Sequence, residues 1–167
     1  MNSTEKLQTV GELKTLIREQ VRLRKSDKRP VLTVSSGTCG QARGSAKVIN
    51  ALHRALKERK LENKVRVRVT GCHGFCEAEP NIIIFPENIF YQKVDPKNGK
   101  EIITETVQKK KIIPGLLYRD PRTAEPAVKE SGIGFYRKQK RILLADNALI
   151  NPTEINDYFA IGGYGSL

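Results

Sequence analysis

Apolar positions along this chain change their spacing several times, and each change marks an element. Leu7, Val10, Leu13, Leu16, Ile17 and Val21 recur mostly three or four residues apart, with charges on the other face. That spacing predicts an amphipathic helix over residues 1 to about 25. Thr9 followed by Glu12 has the pattern of a capping box, so regular helix is expected to begin there. The stretch from Lys25 to Pro30 ends it, because the residue before a proline avoids the helical region. Val31–Val34 is a short β-branched run and predicts a strand. Ala46, Val48, Ile49, Leu52, Ala55 and Leu56 then restore the helical period over residues 44–59. Val65–Val69 alternates Val with Arg, which predicts a strand with Val buried and Arg solvated. Asn81–Phe85 and Ile89–Gln92 flank the turn residues Pro86, Glu87 and Asn88 and read as a β-hairpin. Asp95 followed by Pro96 predicts a helix over 96–108, with Gly99 its weakest position. Pro80, just ahead of the hairpin, is a candidate for a cis bond.

Beyond residue 111 the pattern thins. Pro114, Gly115, Pro121, Pro126, Gly132 and Gly134 punctuate residues 112–134, which read as a linker. Phe135 to Ala145 is expected to be helical. Asn151-Pro152-Thr153-Glu154 is a helix start for a short helix ending near Ala160. The division expected is therefore an N-terminal helix (1–29), an α/β domain (30–111), a linker (112–134) and an extension (135–167).

The strand–helix–strand unit over residues 31–69 places chemistry. Strands joined by such a crossover run parallel, and the connection is nearly always right-handed. The loops leaving their C-terminal ends therefore meet at one edge of the sheet, the usual place for ligands in open α/β sheets. All three cysteines of the chain lie in those two loops: Cys39 in the first, Cys72 and Cys76 in the second. Three cysteines cannot all pair within one chain, and the clustered Cys-x-x-x-Cys argues for metal or redox chemistry in a reducing compartment. A cytoplasmic location is expected.

Composition adds limits. The chain has 167 residues, 38% of them hydrophobic, and a formal net charge of +12. That length suits one domain with appended structure. No apolar run reaches the ~20 residues a membrane helix needs, and the N-terminus lacks the apolar core of a secretory signal. The basic residues are dispersed and no nucleic-acid motif accompanies them, so nucleic acid is not the expected partner. An acidic redox partner or a larger complex fits the charge better. Gly37, Gly40 and Gly44 are not followed by a Lys-Ser pair, which excludes a Walker loop.

The deduced order, β-α-β-β-β-α with cysteines on two loops at one edge, is a thioredoxin-like arrangement and resembles the thioredoxin-like [2Fe-2S] ferredoxins. Further motifs extend the likeness: Thr70-Gly71-Cys72-His73-Gly74-Phe75-Cys76, Glu79-Pro80, Phe90 to Val94, Leu116-Leu117-Tyr118, Phe135 to Gln139, and Asp157 to Tyr164. In that order they resemble the N-terminal part of the NADH-binding flavoprotein subunit of complex-I-like NADH dehydrogenases, NAD-linked hydrogenases and formate dehydrogenases. In that family a ferredoxin-like domain precedes an FMN- and NADH-binding domain and a [4Fe-4S] domain. The glycine-rich nucleotide loop and later cysteine cluster are not in this sequence, which stops as the flavin domain would open. The resemblance implies an electron-transfer module carrying a [2Fe-2S] cluster. FMN and NAD are not expected on this chain alone, nor is NADH oxidation by it. The partners implied are other subunits of a redox complex: a flavoprotein, a ferredoxin-like subunit, or hydrogenase and formate dehydrogenase subunits.

The resemblance also implies a ligand set with one departure. The family's first loop carries two cysteines separated by four residues. Here Ser35 stands at the first position and Gly40 at the second, with Cys39 one place earlier, while Cys72 and Cys76 match the second pair. The implied ligands are Cys39, Cys72, Cys76 and Ser35, with Ser36 or His73 as other fourth donors. An oxygen donor is harder than thiolate and suits iron–sulfur bonding less. Beside the cluster, three readings stay open: a cluster-free module that docks or scaffolds a redox complex, a zinc site on the three cysteines, and a thiol–disulfide site, whose usual Cys-x-x-Cys is one residue shorter. Phe75, between the thiols, is expected to shield the site from water. His53 reads as a half-exposed helix residue.

Overall fold

A computed structural model describes residues 6–167. The expected helix over the first five residues lies outside the described part. The chain divides into two compact units, residues 29–150 and a smaller one made of residues 1–28 and 151–167.

The larger unit is built on a four-stranded sheet in the order β2-β1-β3-β4, with β1 Val31–Ser35, β2 Arg66–Thr70, β3 Ile82–Phe85 and β4 Ile89–Tyr91. β1 and β2 are parallel, in register from Val31 opposite Arg66 to Ser35 opposite Thr70. β3 runs antiparallel to β1, pairing Leu32 with Ile84 and Val34 with Ile82. β4 returns antiparallel to β3 through the hairpin at 86–88, where Asn88 adopts φ +59°. The peptide bonds before Pro80 and Pro86 are cis.

Strand residues alternate between two apolar faces. On one, Leu32, Val34, Ile82, Ile84 and Tyr91 meet the crossover helix α3 (Ser45–Glu58) through Val48, Leu52 and Leu56, and meet Ile102 and Ile103 just beyond α4 (Pro96–Glu101). α3 carries its buried side chains at Val48, Leu52, Ala55 and Leu56, as its period predicts. α4 opens on the Asp95–Asn98 capping box with Pro96 in its first turn, then widens into a π-helix over Ile102–Gln108 rather than continuing as α-helix to 108. Gly99 suits its place: a Cβ there would stand 3.5 Å from the Ala51 Cβ, where α4 lies on α3. On the other face, Ile83 and Phe90 lie under Phe75, Ala78, Ile133 and Tyr136. The sheet is covered on both sides, so the two buried faces together form the interior.

Four expectations are corrected. The first loop is not wholly irregular: Thr38–Ala42 forms a short helix, α2. In β2 the buried arginine Arg68 departs from the expected solvated row, with only 7% of its surface exposed. Residues 112–134 are packed, not a free connection. Phe90 N–H donates to Val128 O at 2.8 Å and Gln92 N–H to Leu116 O at 2.9 Å, so this segment runs along β4. It carries a two-stranded hairpin, β5 Tyr118–Arg119 with β6 Pro126–Ala127, and buries Leu116, Leu117 and Ile133. Covering β4 removes an exposed sheet edge. Last, the helix expected over 135–145 shrinks to α5, Gly134–Arg137, and turns follow to residue 150.

The smaller unit holds α1 (Val10–Ser26) and α6 (Ile155–Phe159). α1 begins at the Thr9–Glu12 capping box, as expected: Glu12 N–H donates to Thr9 Oγ1 at 3.2 Å and Glu12 Oε2 accepts from Thr9 N–H. α6 starts at Ile155, four residues beyond Asn151. Asn151 N–H donates instead to Asp157 Oδ2 at 2.8 Å, tying the approach to the helix.

Candidate metal centre

The C-terminal ends of β1 and β2 bring the two cysteine loops together. A Cβ built at Gly37 would stand 3.0 Å from the Cys72 Cβ, so the first loop passes the second with no room to spare at that point. Further along that loop, Cys39 lies beside Cys76, whose side chain and charge push the Cys39 thiol above its ordinary value. Cys39 and Cys76 are exposed, Cys72 is half-buried, and none is in a disulfide. The Cys72 sulfur accepts from Gly74 N–H at 3.2 Å. Among the described residues, no group of three His, Cys, Asp or Glu side chains already converges on one point. The three cysteines share one rim of the sheet.

Ser35, at the end of β1, is fully buried. Its hydroxyl contacts Glu79 Oε1 and lies 3.3 Å from Gly71 O. One hydroxyl proton cannot serve both acceptors. The serine hydroxyl donates to Glu79 Oε1, which favours the carboxylate, while burial acts more strongly the other way and pushes the Glu79 carboxyl above the ordinary glutamate value. Glu79 is only 2% exposed, and its Oε2 has no hydrogen-bond partner. Gly40 of α2 packs on this pair: a Cβ there would lie 2.7 Å from Ser35 O and 3.1 Å from Glu79 Oε2. Ser36 is turned away, its Oγ 2.8 Å from Ser45 Oγ.

His73 is fully buried. Thr70 Oγ1 donates its single proton to Val34 O at 3.1 Å, so it accepts from His73 Nε2–H at 2.7 Å. That fixes the neutral tautomer with a bare Nδ1. The Asn81 amide faces the ring without reaching full hydrogen-bond geometry. Desolvation lowers the His73 pKa to about 4. The ring is thus committed to the interior and does not stand beside Cys72 as a donor.

A strap over residues 135–147 lies across the second loop. Asn147 Nδ2 donates to Cys72 O at 2.9 Å, and Tyr136 OH and Arg141 Nη1 donate to His73 O at 3.3 and 3.4 Å. Arg141 also forms a two-point pair with Glu130, at 3.1 and 2.7 Å, and stands 4.5 Å over the Tyr136 ring. Phe75 stacks on Phe135 with centroids 4.6 Å apart and meets Tyr136 edge-on at 5.7 Å. Phe75 is itself buried, at 8% exposed.

A [2Fe-2S] cluster is ordinarily held by four thiolates, and this rim offers three with one buried hydroxyl beside an orphaned carboxyl oxygen. Residues 20–107 match the model of the family described as thioredoxin-like [2Fe-2S] ferredoxin. This chain belongs to that family. Membership of the thioredoxin-like [2Fe-2S] ferredoxins supports an iron–sulfur electron-transfer role. A 2Fe-2S ferredoxin from Clostridium pasteurianum is 25% identical over 72 residues, 43% of this chain and 71% of its own. The wild-type thioredoxin-like [2Fe-2S] ferredoxin from Aquifex aeolicus superimposes over 56% of this chain and all of its own, with TM-score 0.51 and 18% identity. A second structure of a thioredoxin-like [2Fe-2S] ferredoxin from the same organism covers 60% of this chain at TM-score 0.51 and 17% identity. These likenesses show a shared fold. Sequence reasoning gave no role to Glu79, Tyr136, Arg141 or Asn147. Glu79 alone left a signal, as a carboxylate between a cysteine loop and an apolar strand.

Proposed function

We propose that this chain is a single-electron carrier whose [2Fe-2S] cluster is held by Cys39, Cys72 and Cys76, with Ser35 as the fourth donor. When bound, such a cluster accepts and releases one electron at a time. The observation that carries this reading is the meeting of the two loops: Gly37 packed on Cys72, and Cys39 beside Cys76. Ser35 can bind iron only after losing its hydroxyl proton, and Glu79 Oε1 stands where it takes that proton. Its buried carboxyl favours the protonated form. Phe75 and the strap exclude water from one side of the second loop, while Cys39 and Cys76 stay at the surface where a partner can approach.

In this reading residues 30–111 are the cluster domain of a cytoplasmic NADH-dehydrogenase-like complex. The ordered motifs from Thr70 to Tyr164 support the complex-I-like, hydrogenase or formate dehydrogenase setting, with residues 135–167 leading toward a flavin domain. No helix among the described residues is long and apolar enough to cross a membrane.

The test is anaerobic reconstitution with iron and sulfide, followed by iron analysis and electron paramagnetic resonance of the reduced protein. About two irons per chain and an axial or rhombic signal are expected. Cys72→Ala and Cys76→Ala should abolish iron retention, and Ser35→Cys should retain iron with a shifted signal. Full iron retention in either alanine variant refutes the ligand set. A colourless protein whose alanine variants still assemble with redox subunits favours the cluster-free docking module.

A further inference from the structure

The strap that closes over the cysteine loop carries a surface the interior does not explain. Ile142 is 77% exposed and Leu143 93%, and Phe135 and Leu144 add 40% and 38%. Exposed apolar groups scattered singly are ordinary, but a contiguous set flanked by charge marks an interaction site. Arg137, Lys138 and Lys140 are exposed on the same strap, and residues 131–145 contain no Asp or Glu. The strap is also held in place: Arg141 is tied to Glu130, Asn147 to Cys72 O, and Phe135 to Phe75. Leu144 reaches the second loop itself, its Cδ1 3.4 Å from where a Gly74 Cβ would stand. It lies outside residues 20–107, the part matched by the family model.

We propose that this strap is the docking surface for an acidic, electron-carrying protein. Its apolar contact sits on Ile142 and Leu143, and its carboxylates meet Arg137, Lys138 and Lys140. The redox character of the partner rests on the electron-transfer reading above; the surface itself does not. Charge decides against a second copy of this chain, since two molecules of net charge +12 would bring like-charged straps together. Position decides for a redox protein, because a partner seated here stands directly over the loop that carries Cys72 and Cys76. An apolar centre with a charged rim is the usual build of a transient interface.

The test uses the isotope-labelled full chain titrated with an acidic flavodoxin, followed by amide chemical shifts, both before and after iron reconstitution. Shifts are expected at residues 135–147 and 71–76 in about 20 mM salt, and their loss in about 500 mM salt, where screening is strong. The pairs I142D/L143D and K138E/K140E should each weaken binding about tenfold or more. Both change exposed side chains, and circular dichroism checks that the fold is kept. K57E/K60E, at the C-terminal end of α3 and the opposite end of the sheet from the cysteines, should change binding less than about twofold. No binding, shifts centred elsewhere, or indifference to the strap variants overturns the proposal. So does strap-dependent sedimentation with phosphatidylglycerol vesicles, or self-association lost in I142D/L143D. Binding to the strap by a protein that takes up no iron keeps the surface and sinks the electron-transfer reading. Iron uptake with no strap-dependent binding does the reverse.

Discussion

Replacing Phe75 with alanine tests whether the aromatic contact between strap and cysteine loop is structural. The ring is 8% exposed and touches Phe135, Tyr136 and Tyr118, with centroids 4.6, 5.7 and 5.5 Å away. Removing a buried Phe side chain costs about 3–5 kcal/mol, the larger values where the cavity cannot collapse. Here Phe135 is itself 40% exposed and can sink into the gap, which places the expected loss near the lower end, about 3 kcal/mol. That is a large part of the ~5–15 kcal/mol that holds a domain of this kind. Phe135→Ala, which removes the exposed partner, should cost only about 1 kcal/mol. If the two rings stack as described, the double variant should lose less than the sum, by a coupling of about 0.5–1.5 kcal/mol. Urea unfolding followed by far-ultraviolet circular dichroism reads all three, since the chain has no tryptophan to report by fluorescence. A Phe75→Ala cost below about 1 kcal/mol, or a coupling of zero, would refute the claim that the strap clamps the loop.

Three further outcomes follow, two from buried polar groups and one from the glycines of the first loop. His73 has its pKa lowered from 6.5 to about 4. The unfolded chain therefore takes up a proton that the native state refuses, and about 3 kcal/mol of stability should be lost as pH falls from 6.5 toward 4; His73→Asn should flatten that slope in urea midpoints. Glu79 acts in the opposite sense. Its native carboxyl lies above the ordinary 4.5, so its contribution is most favourable below 4.5 and is lost as pH rises through the raised value; in apo protein, Glu79→Gln should gain stability relative to wild type between acid and neutral pH. Gly40→Ala places a methyl 2.7 Å from Ser35 O and should cost about 1–3 kcal/mol in the same unfolding assay, with Gly44→Ala lost through backbone strain instead, at φ +89°. An unchanged Gly40→Ala midpoint would mean that α2 does not rest on β1.

The elements that could be read from the chain are those whose signals are local. Thr9 with Glu12 and Asp95 with Pro96 each announced a helix because the cap and its partner residue lie within three positions of each other and need nothing distant. The period of α3 was legible for the same reason, one apolar face against one interior, and β3 showed as an unbroken apolar run, buried on both faces. What failed lacked such a signal. α2 is five residues long, has no side-chain cap, and is held by contacts of Gly40 with Ser35 and Glu79 that no spacing encodes. Residues 112–134 have the proline and glycine content of a linker, yet their few apolar residues, Leu116, Leu117 and Ile133, are buried against a sheet far away in sequence. Arg68 follows the strand alternation and still lies inside, because β2 is covered by more than its own period reveals.

The same division runs through the site. The rim was legible because handedness and parallel pairing are general: once residues 31–69 are a strand, a helix and a strand, Cys39 must come near Cys72 and Cys76. The sulfurs' surroundings were not, because they depend on chain that returns from 60 or more residues away. Asn147 on Cys72 O, and Tyr136 and Arg141 on His73 O, are contacts of an irregular strap. Ser35 shows why this matters for chemistry. From sequence it is a substituted ligand, judged by the hardness of oxygen alone. In the fold it is a buried hydroxyl bonded to a buried acid, so whether it can hold iron turns on where its proton goes. That makes Glu79, which no ligand pattern singles out, the residue on which the fourth position depends.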